Sequence, residues 1–246
     1  MSKTAPRRRV ATYNIHKGVR GTGPAKRLEI HALKGGVAHL DADLVCLQEV
    51  RAHHHGDARR FHRHWPNRPQ ADFLAPDGYE VAYRSNAFTR GGEHGNALLS
   101  RFPLLDVAHR DVSDHRLEQR GLLHATVDWA GAPLHVLVLH LGLFHGSRVR
   151  QVDALGDYLQ EKVPAGERLL VAGDFNDWRE QLDPAMQGLD LRRAGMARTF
   201  PARAPLFALD RVYLRGLSAL GSEVPRGAPW VRMSDHLPLL VELEAQ

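Results

Sequence analysis

Apolar runs of strand length recur along the chain, and each ends abruptly beside a polar residue. The runs are Val10–Ile15, Leu44–Leu47, Ala97–Leu99, Leu122–Val127, Leu134–Leu141, Leu169–Ala172, Leu209–Leu214 and Leu237–Leu243. Leu and β-branched residues dominate them, as in covered sheets. Between some of them the period changes. Leu28, Ile30, Leu33, Val37 and Leu40 predict a helix that ends before "DADLVCLQ". Val149, Val152, Leu155 and Leu159 predict another that ends at Pro164. Strands alternate with helices early and late, with hairpin-like strands between. That order predicts a mixed α/β layered domain.

The 246 residues contain no repeat and no long Gly/Ser linker. The expectation is one domain over residues 9–246 behind a short basic tail, residues 1–8. One segment resists the pattern. Residues 51–68, "RAHHHGDARRFHRHWPNR", hold five Arg, five His and one acid. They read as a long surface loop with room for a short helix.

Composition narrows the class. The chain is 43% hydrophobic, enough for a sizeable core, and its apolar runs are far too short to span a bilayer. No apolar signal segment follows the basic start, so a cytoplasmic protein is expected. The single cysteine, Cys46, excludes an intrachain disulfide and reads as a packing residue in "DLVCLQ". The net charge of +5 is compatible with an anionic partner.

The candidate chemistry lies where the runs end. Asn14, Glu49, His140, Asp174 with Asn176, Asp210, and Asp235 with His236 all border strands. Any one of them alone reads as a cap or turn former. Together they supply hard oxygen ligands suited to Mg²⁺ or Mn²⁺, and histidines able to move a proton. Such a set can carry phosphoryl transfer. Zinc on His140, His236 and one carboxylate is the rival. The sequence lacks HExxH and any cysteine cluster, which ranks zinc lower.

The motifs "ATYNIHKG", "DLVCLQEV", "GNALLSRFP", "LLVAGDFND", "LDRVYL" and "SDHLPLLVEL" occur in an order that resembles the endonuclease/exonuclease/phosphatase superfamily. That superfamily includes DNase I-like nucleases, inositol polyphosphate phosphatases and neutral sphingomyelinases. The closer likeness, carried by "NIHKG", "HGNALLSR" and "VAGDFNDWR", is to a small bacterial subgroup of uncharacterised members. Some of these are encoded beside cardiolipin synthases. The resemblance implies a four-layer α/β sandwich with the site at one end. It implies Glu49, Asn14 and Asp235 at the metal and His140 on the scissile phosphate. It implies Asp174 and His236 as joint candidates for activating water, Asn176 beside them, and Asp210 behind His236. Asn96, Arg120 and Arg148 are further candidates for contacting substrate.

The expected activity is a metal-dependent phosphodiesterase acting on nucleic acid, phospholipid or a small phosphoester. The alternative is a phospho-ligand-binding protein on the same fold. Two departures bear on the substrate. Only residues 51–68 could serve as a DNA-gripping loop, and no apolar hairpin for entering a bilayer is evident.

Overall fold

The computed structural model describes residues 7–244. In chain order its elements are β1 (Arg7–Asn14), β2 (Val19–Arg20), β3 (Arg27–Leu28), α1 (Ile30–Leu40) and β4 (Leu44–Val50). Then come α2 (His55–Arg60), α3 (Gln70–Leu74), β5 (Glu80–Thr89), β6 (Gly92–Ser100), β7 (Leu104–Asp111), β8 (Gly121–Trp129) and β9 (Ala132–His140). The last are α4 (His145–Lys162), β10 (Arg168–Asp174), α5 (Asp183–Gly188), β11 (Arg192–Arg193), β12 (Asp210–Arg215), β13 (Ala219–Glu223), α6 (Trp230–Met233) and β14 (Leu239–Glu244).

Two six-stranded mixed sheets stack face to face. One has the order β13-β14-β1-β4-β6-β5 and the other β11-β12-β10-β9-β8-β7. Each sheet has one parallel pair at its centre, β1 with β4 and β9 with β10. Their side chains alternate between two hydrophobic layers. On β10, Leu170 and Ala172 join the inter-sheet core, while Leu169 and Val171 pack outward against α4 and α5. On β1, Val10 faces inward, and Ala11 and Tyr13 meet α1 and α6. Burial on both faces explains why these strands read as unbroken apolar runs. The result is the four-layer α/β sandwich expected from the sequence. Among the described residues, no helix is long and apolar enough to cross a membrane.

Three features depart from the sequence reading. Strands β5, β7 and β13 were not legible as apolar runs, and each lies at the edge of its sheet. β13 is exposed along its whole length. Edge strands have one unpaired side and fewer covering residues, so polar side chains fill them. β1 begins at Arg7, which pairs with Glu244, so residues 7–8 belong to the sheet rather than to a tail; residues 1–6 of that expected tail lie outside the described residues. Residues 51–68 contain α2, the short helix for which the sequence left room, but are pinned by a buried acid. Asp57 is 4% exposed and is held by Arg51 and by Lys26 at 2.6 Å.

Candidate active site

The parallel pairs fix where the polar residues meet. Parallel neighbours end on the same side, so β1 and β4 deliver Asn14 and Glu49 together, and β9 and β10 deliver His140 and Asp174. His140 and Asp174 are register partners, as are Asp174 and Asp210 across β10 and β12. The Nδ2 of Asn14 donates to Oδ2 of Asp174 at 3.0 Å, joining the ends of the two sheets. Gly173 lets β10 lie close against β9 just before Asp174. A Cβ there would lie 1.9 Å from the Leu139 carbonyl oxygen.

A hydrogen-bonded histidine sits at the centre. His236 Nδ1 lies 2.8 Å from Oδ2 of Asp210, and its Nε2 lies 3.6 Å from Oδ2 of Asp174. Thr199 Oγ1 donates to the same Asp210 oxygen at 2.5 Å. Burial alone would lower the pKa of His236. The Asp210 and Asp174 carboxylates outweigh it and push the imidazole up to about 10. Burial raises the Asp174 carboxyl, and Asp210 adds to the rise, bringing it to about 6. At neutral pH this favours a protonated His236 beside an ionised Asp174.

His140 faces the same carboxylate, with Nε2 at 3.5 Å from Asp174 Oδ2 and 3.1 Å from Nδ2 of Asn176. Burial, with the nearby Arg120 charge, holds His140 well below the usual histidine pKa, so it is neutral. Asn176 adopts a left-handed φ of 47°, which asparagine tolerates better than most residues. This turn brings its main-chain N–H to Asp174 Oδ1 at 2.9 Å and its Nδ2 to the Leu141 carbonyl at 2.9 Å. The following loop is anchored from beneath. Arg211, fully buried, donates to Asp177 Oδ2 and to the Asp177 carbonyl, each at 3.0 Å.

The opposite wall is acidic and strained. Glu49 lies in β4 at an irregularity of pairing with β6 and takes φ 56°. A bulge of this kind re-aims a side chain against the strand alternation. Just after Asn14, His16 and Lys17 take φ 45° and 63°. Non-glycine residues in this region cost roughly 1–3 kcal/mol each and gather at functional sites. Gly18 closes the turn at φ 69°, where a Cβ would meet Gln70 at 2.7 Å. Lys17 Nζ donates to Glu49 Oε2 at 2.7 Å. His16 Nδ1 lies 3.3 Å from Asp235 Oδ1 and 3.9 Å from Glu49 Oε2. Burial opposes ionisation of Glu49, but the Lys17 ammonium, through its charge and its hydrogen bond, prevails and holds the carboxyl well below the usual range.

Two groups of side chains could hold a metal ion. Asp174, Asp210 and His236 bring one ligand atom each within 4.8 Å of one another. An ion there would have to displace the bond between His236 and Asp210. Glu49 and Asp235, which both lie against His16, are a second pair of carboxylates, with Asn14 on the strand paired with β4. Their oxygens already face Lys17 Nζ and His16 Nδ1, and Asp235 is open to solvent. Both groups are cysteine-free, and the second is made of hard oxygen donors, which fits Mg²⁺ or Mn²⁺.

The three residues expected at the substrate separate. Asn96 is fully enclosed, and its Nδ2 donates to the Gly121 and Val138 carbonyls, bracing one sheet against the other. Arg148 is 4% exposed and donates to the Gly142 and Leu143 carbonyls, holding the turn after His140. Both brace main chain, Asn96 through Nδ2 and Arg148 through Nη1, while Arg148 Nε has no partner. Arg120 stays beside His140, tied to Glu118 and to the Leu141 carbonyl. The sequence reading missed His16, Lys17, Thr199 and the pair of Asp177 with Arg211. "NIHKG" carried a signal for the first two, since a basic pair stands directly between a strand-end Asn and a glycine.

A family model described as Endonuclease/Exonuclease/phosphatase family matches residues 11–236. A protein of Escherichia coli strain K12, "Uncharacterized protein YbhP", is 39% identical, covering 96% of this chain and 95% of its own. An endonuclease/exonuclease/phosphatase structure from Beutenbergia cavernae superposes with a TM-score of 0.76 at 20% identity, over 97% of this chain and 72% of that one. A Bacteroides thetaiotaomicron structure described as a mannosyl-6-phosphatase does so with a TM-score of 0.71 at 16% identity, over 96% and 99%. With its two stacked sheets and its polar strand ends gathered at one mouth, the chain belongs to the endonuclease/exonuclease/phosphatase family.

Proposed function

We propose that this protein is a Mg²⁺- or Mn²⁺-dependent phosphoesterase that hydrolyses a phosphodiester by in-line attack of water. The observation that carries the reading is the alignment of Asp174 between His236 and His140. Two histidines face one buried carboxylate, 3.6 and 3.5 Å from the same oxygen, His236 with its pKa raised and His140 with its pKa lowered. A purely structural cluster has no need to hold one imidazole charged and its neighbour neutral.

The roles follow from this charge pattern. Asp174, ionised at neutral pH, orients the attacking water and accepts its proton. The new bond forms from the water oxygen to phosphorus, and the opposite ester bond breaks. His236, held cationic by Asp210, stabilises the charge that gathers on the phosphoryl oxygens. Asn176, whose Nδ2 is spent on His140 Nε2 and the Leu141 carbonyl, holds the neutral His140 imidazole in place beside Asp174. An ion bound by Glu49, with Asn14 and Asp235, would neutralise phosphate charge and the departing oxygen. Strand ends hold these groups with little freedom, which in-line geometry demands.

The substrate class proposed is a phosphodiester of nucleic acid, phospholipid or small-molecule type. Incubation with Mn²⁺ and bis-p-nitrophenyl phosphate tests the activity. Turnover that EDTA and Asp174→Ala both abolish supports it. Binding of phospho-ligands without turnover across nucleic acids, phospholipid head groups and inositol phosphates would show a binding protein instead.

A further inference from the structure

We propose that Lys17 is a tethered cation that neutralises Glu49 before a divalent ion binds, and then contacts an oxygen of the substrate phosphate. The inference rests on the phosphoesterase reading and assigns a residue which that reading does not use.

The first argument is partnership. The arginines around the site are already engaged. Arg51 is held by Asp57, Arg120 by Glu118 and the Leu141 carbonyl, and Arg148 by the Gly142 and Leu143 carbonyls. Among the described residues, Lys17 has as its side-chain partner Glu49, the carboxylate assigned to the metal. An ion taking that carboxylate frees the ammonium without leaving another buried acid uncompensated.

The second argument is placement. Lys17 sits in the turn that starts at Asn14, and the turn is fastened at several points. The His16 N–H donates to Asn14 Oδ1 at 3.0 Å, and Gln70 Nε2 donates to the Lys17 carbonyl at 2.9 Å. The buried Gln70 also accepts from the Arg51 N–H, close after Glu49. One amide thus fixes both main chains that carry the ion pair. A surface ion pair would not need two successive left-handed residues to form.

The third argument is the side chain. Lys17 is 27% exposed, against 15% for Glu49, so the head lies at the open edge of the pair. A lysine presents a compact charge on a flexible stem and can swing between two acceptors. Its charge also acts on the half-buried His94, pushed down to about 4 chiefly by burial, so that imidazole does not compete for anions.

The test compares wild type with Lys17→Met, Lys17→Arg and Glu49→Gln. Mn²⁺ affinity is read by electron paramagnetic resonance, and inorganic phosphate is used as competitive inhibitor of the Mn²⁺-loaded protein. Thermal unfolding checks that each variant is folded. Lys17→Met should bind Mn²⁺ about tenfold more tightly and phosphate about tenfold more weakly, the scale of one hydrogen bond to a charged group. Lys17→Arg should keep phosphate affinity within about threefold of wild type, since it retains the charge. Unchanged or weaker Mn²⁺ binding in Lys17→Met, or unchanged phosphate affinity, overturns the inference. If wild type binds Mn²⁺ no better than Glu49→Gln and cleaves no phosphodiester, the inference falls with the site reading itself.

Discussion

His236 Nδ1 and Asp210 Oδ2 lie 2.8 Å apart, both side chains buried, on segments separated by 26 residues. The bond fixes which nitrogen of the imidazole faces Asp174. His236→Ala is expected to lower kcat by about 10²–10³-fold, the usual scale of a lost charge-stabilising donor. Asp210→Asn should lower kcat less, since the imidazole remains but loses its counter-charge. Both should leave KM nearly unchanged. Steady-state kinetics on bis-p-nitrophenyl phosphate give the answer. A raised KM with kcat intact would show a binding role instead.

The two candidate metal groups make opposite predictions. If Glu49 holds the ion, Glu49→Gln weakens Mn²⁺ binding by roughly 10–100-fold, the scale seen for altered metal sites. Asp210→Asn then leaves Mn²⁺ affinity within about threefold. Titration calorimetry with both variants separates the cases. The reverse pattern would move the ion to Asp174, Asp210 and His236.

Arg211 and Asp177 form an ion pair with no exposed surface on either side chain. Removing one partner of such a pair strands the other. Arg211→Ala should therefore cost about 3–5 kcal/mol by urea denaturation. Residual activity at low temperature should also fall, since the loop bearing Asn176 loses its anchor. Arg211→Met should cost less, because its chain fills the space. A loss below about 1 kcal/mol in Arg211→Ala would show that the loop stands without this support.

Stability should fall on the acid side through a histidine far from the active site. His124 is buried on β8, with Nδ1 3.0 Å from the Tyr158 hydroxyl and Nε2 2.9 Å from His135 Nδ1. Burial, with the charge of His135 added, pushes it down to about 4. A depressed folded-state pKa means the unfolded chain takes the proton first. The contribution is present above about 6.5 and is lost as pH falls toward 4. The thermal midpoint should drop between pH 7.5 and 4.5, and less so in His124→Gln. Equal slopes in both proteins would remove His124 from the acid limb.

Much of the fold was legible because central strands are covered on both faces. That burial demands long apolar runs, and a run leaves a record in the sequence. β5, β7 and β13 were not legible, because an edge position lets polar side chains serve. At the site, Asp174, Asp210 and His236 stood out by ending or flanking apolar runs. Asn96 and Arg148 shared that look and proved to be braces. A strand-border residue can point to solvent or to a neighbouring carbonyl, and local pattern does not distinguish the two.

The sequence by itself determined which strands are buried and which polar residues stand at their ends, since alternation and apolar run length follow from the backbone repeat. Tertiary structure decided the rest. Parallel pairing at the centre of each sheet brought four strand ends to one mouth, and the stacking of the sheets set Asn14 against Asp174. Left-handed turns at Lys17, Glu49 and Asn176 aimed side chains that residue type alone left undirected. Charge states of His140 and His236 were settled last, because a pKa depends on which charges lie near in space and how much water they keep.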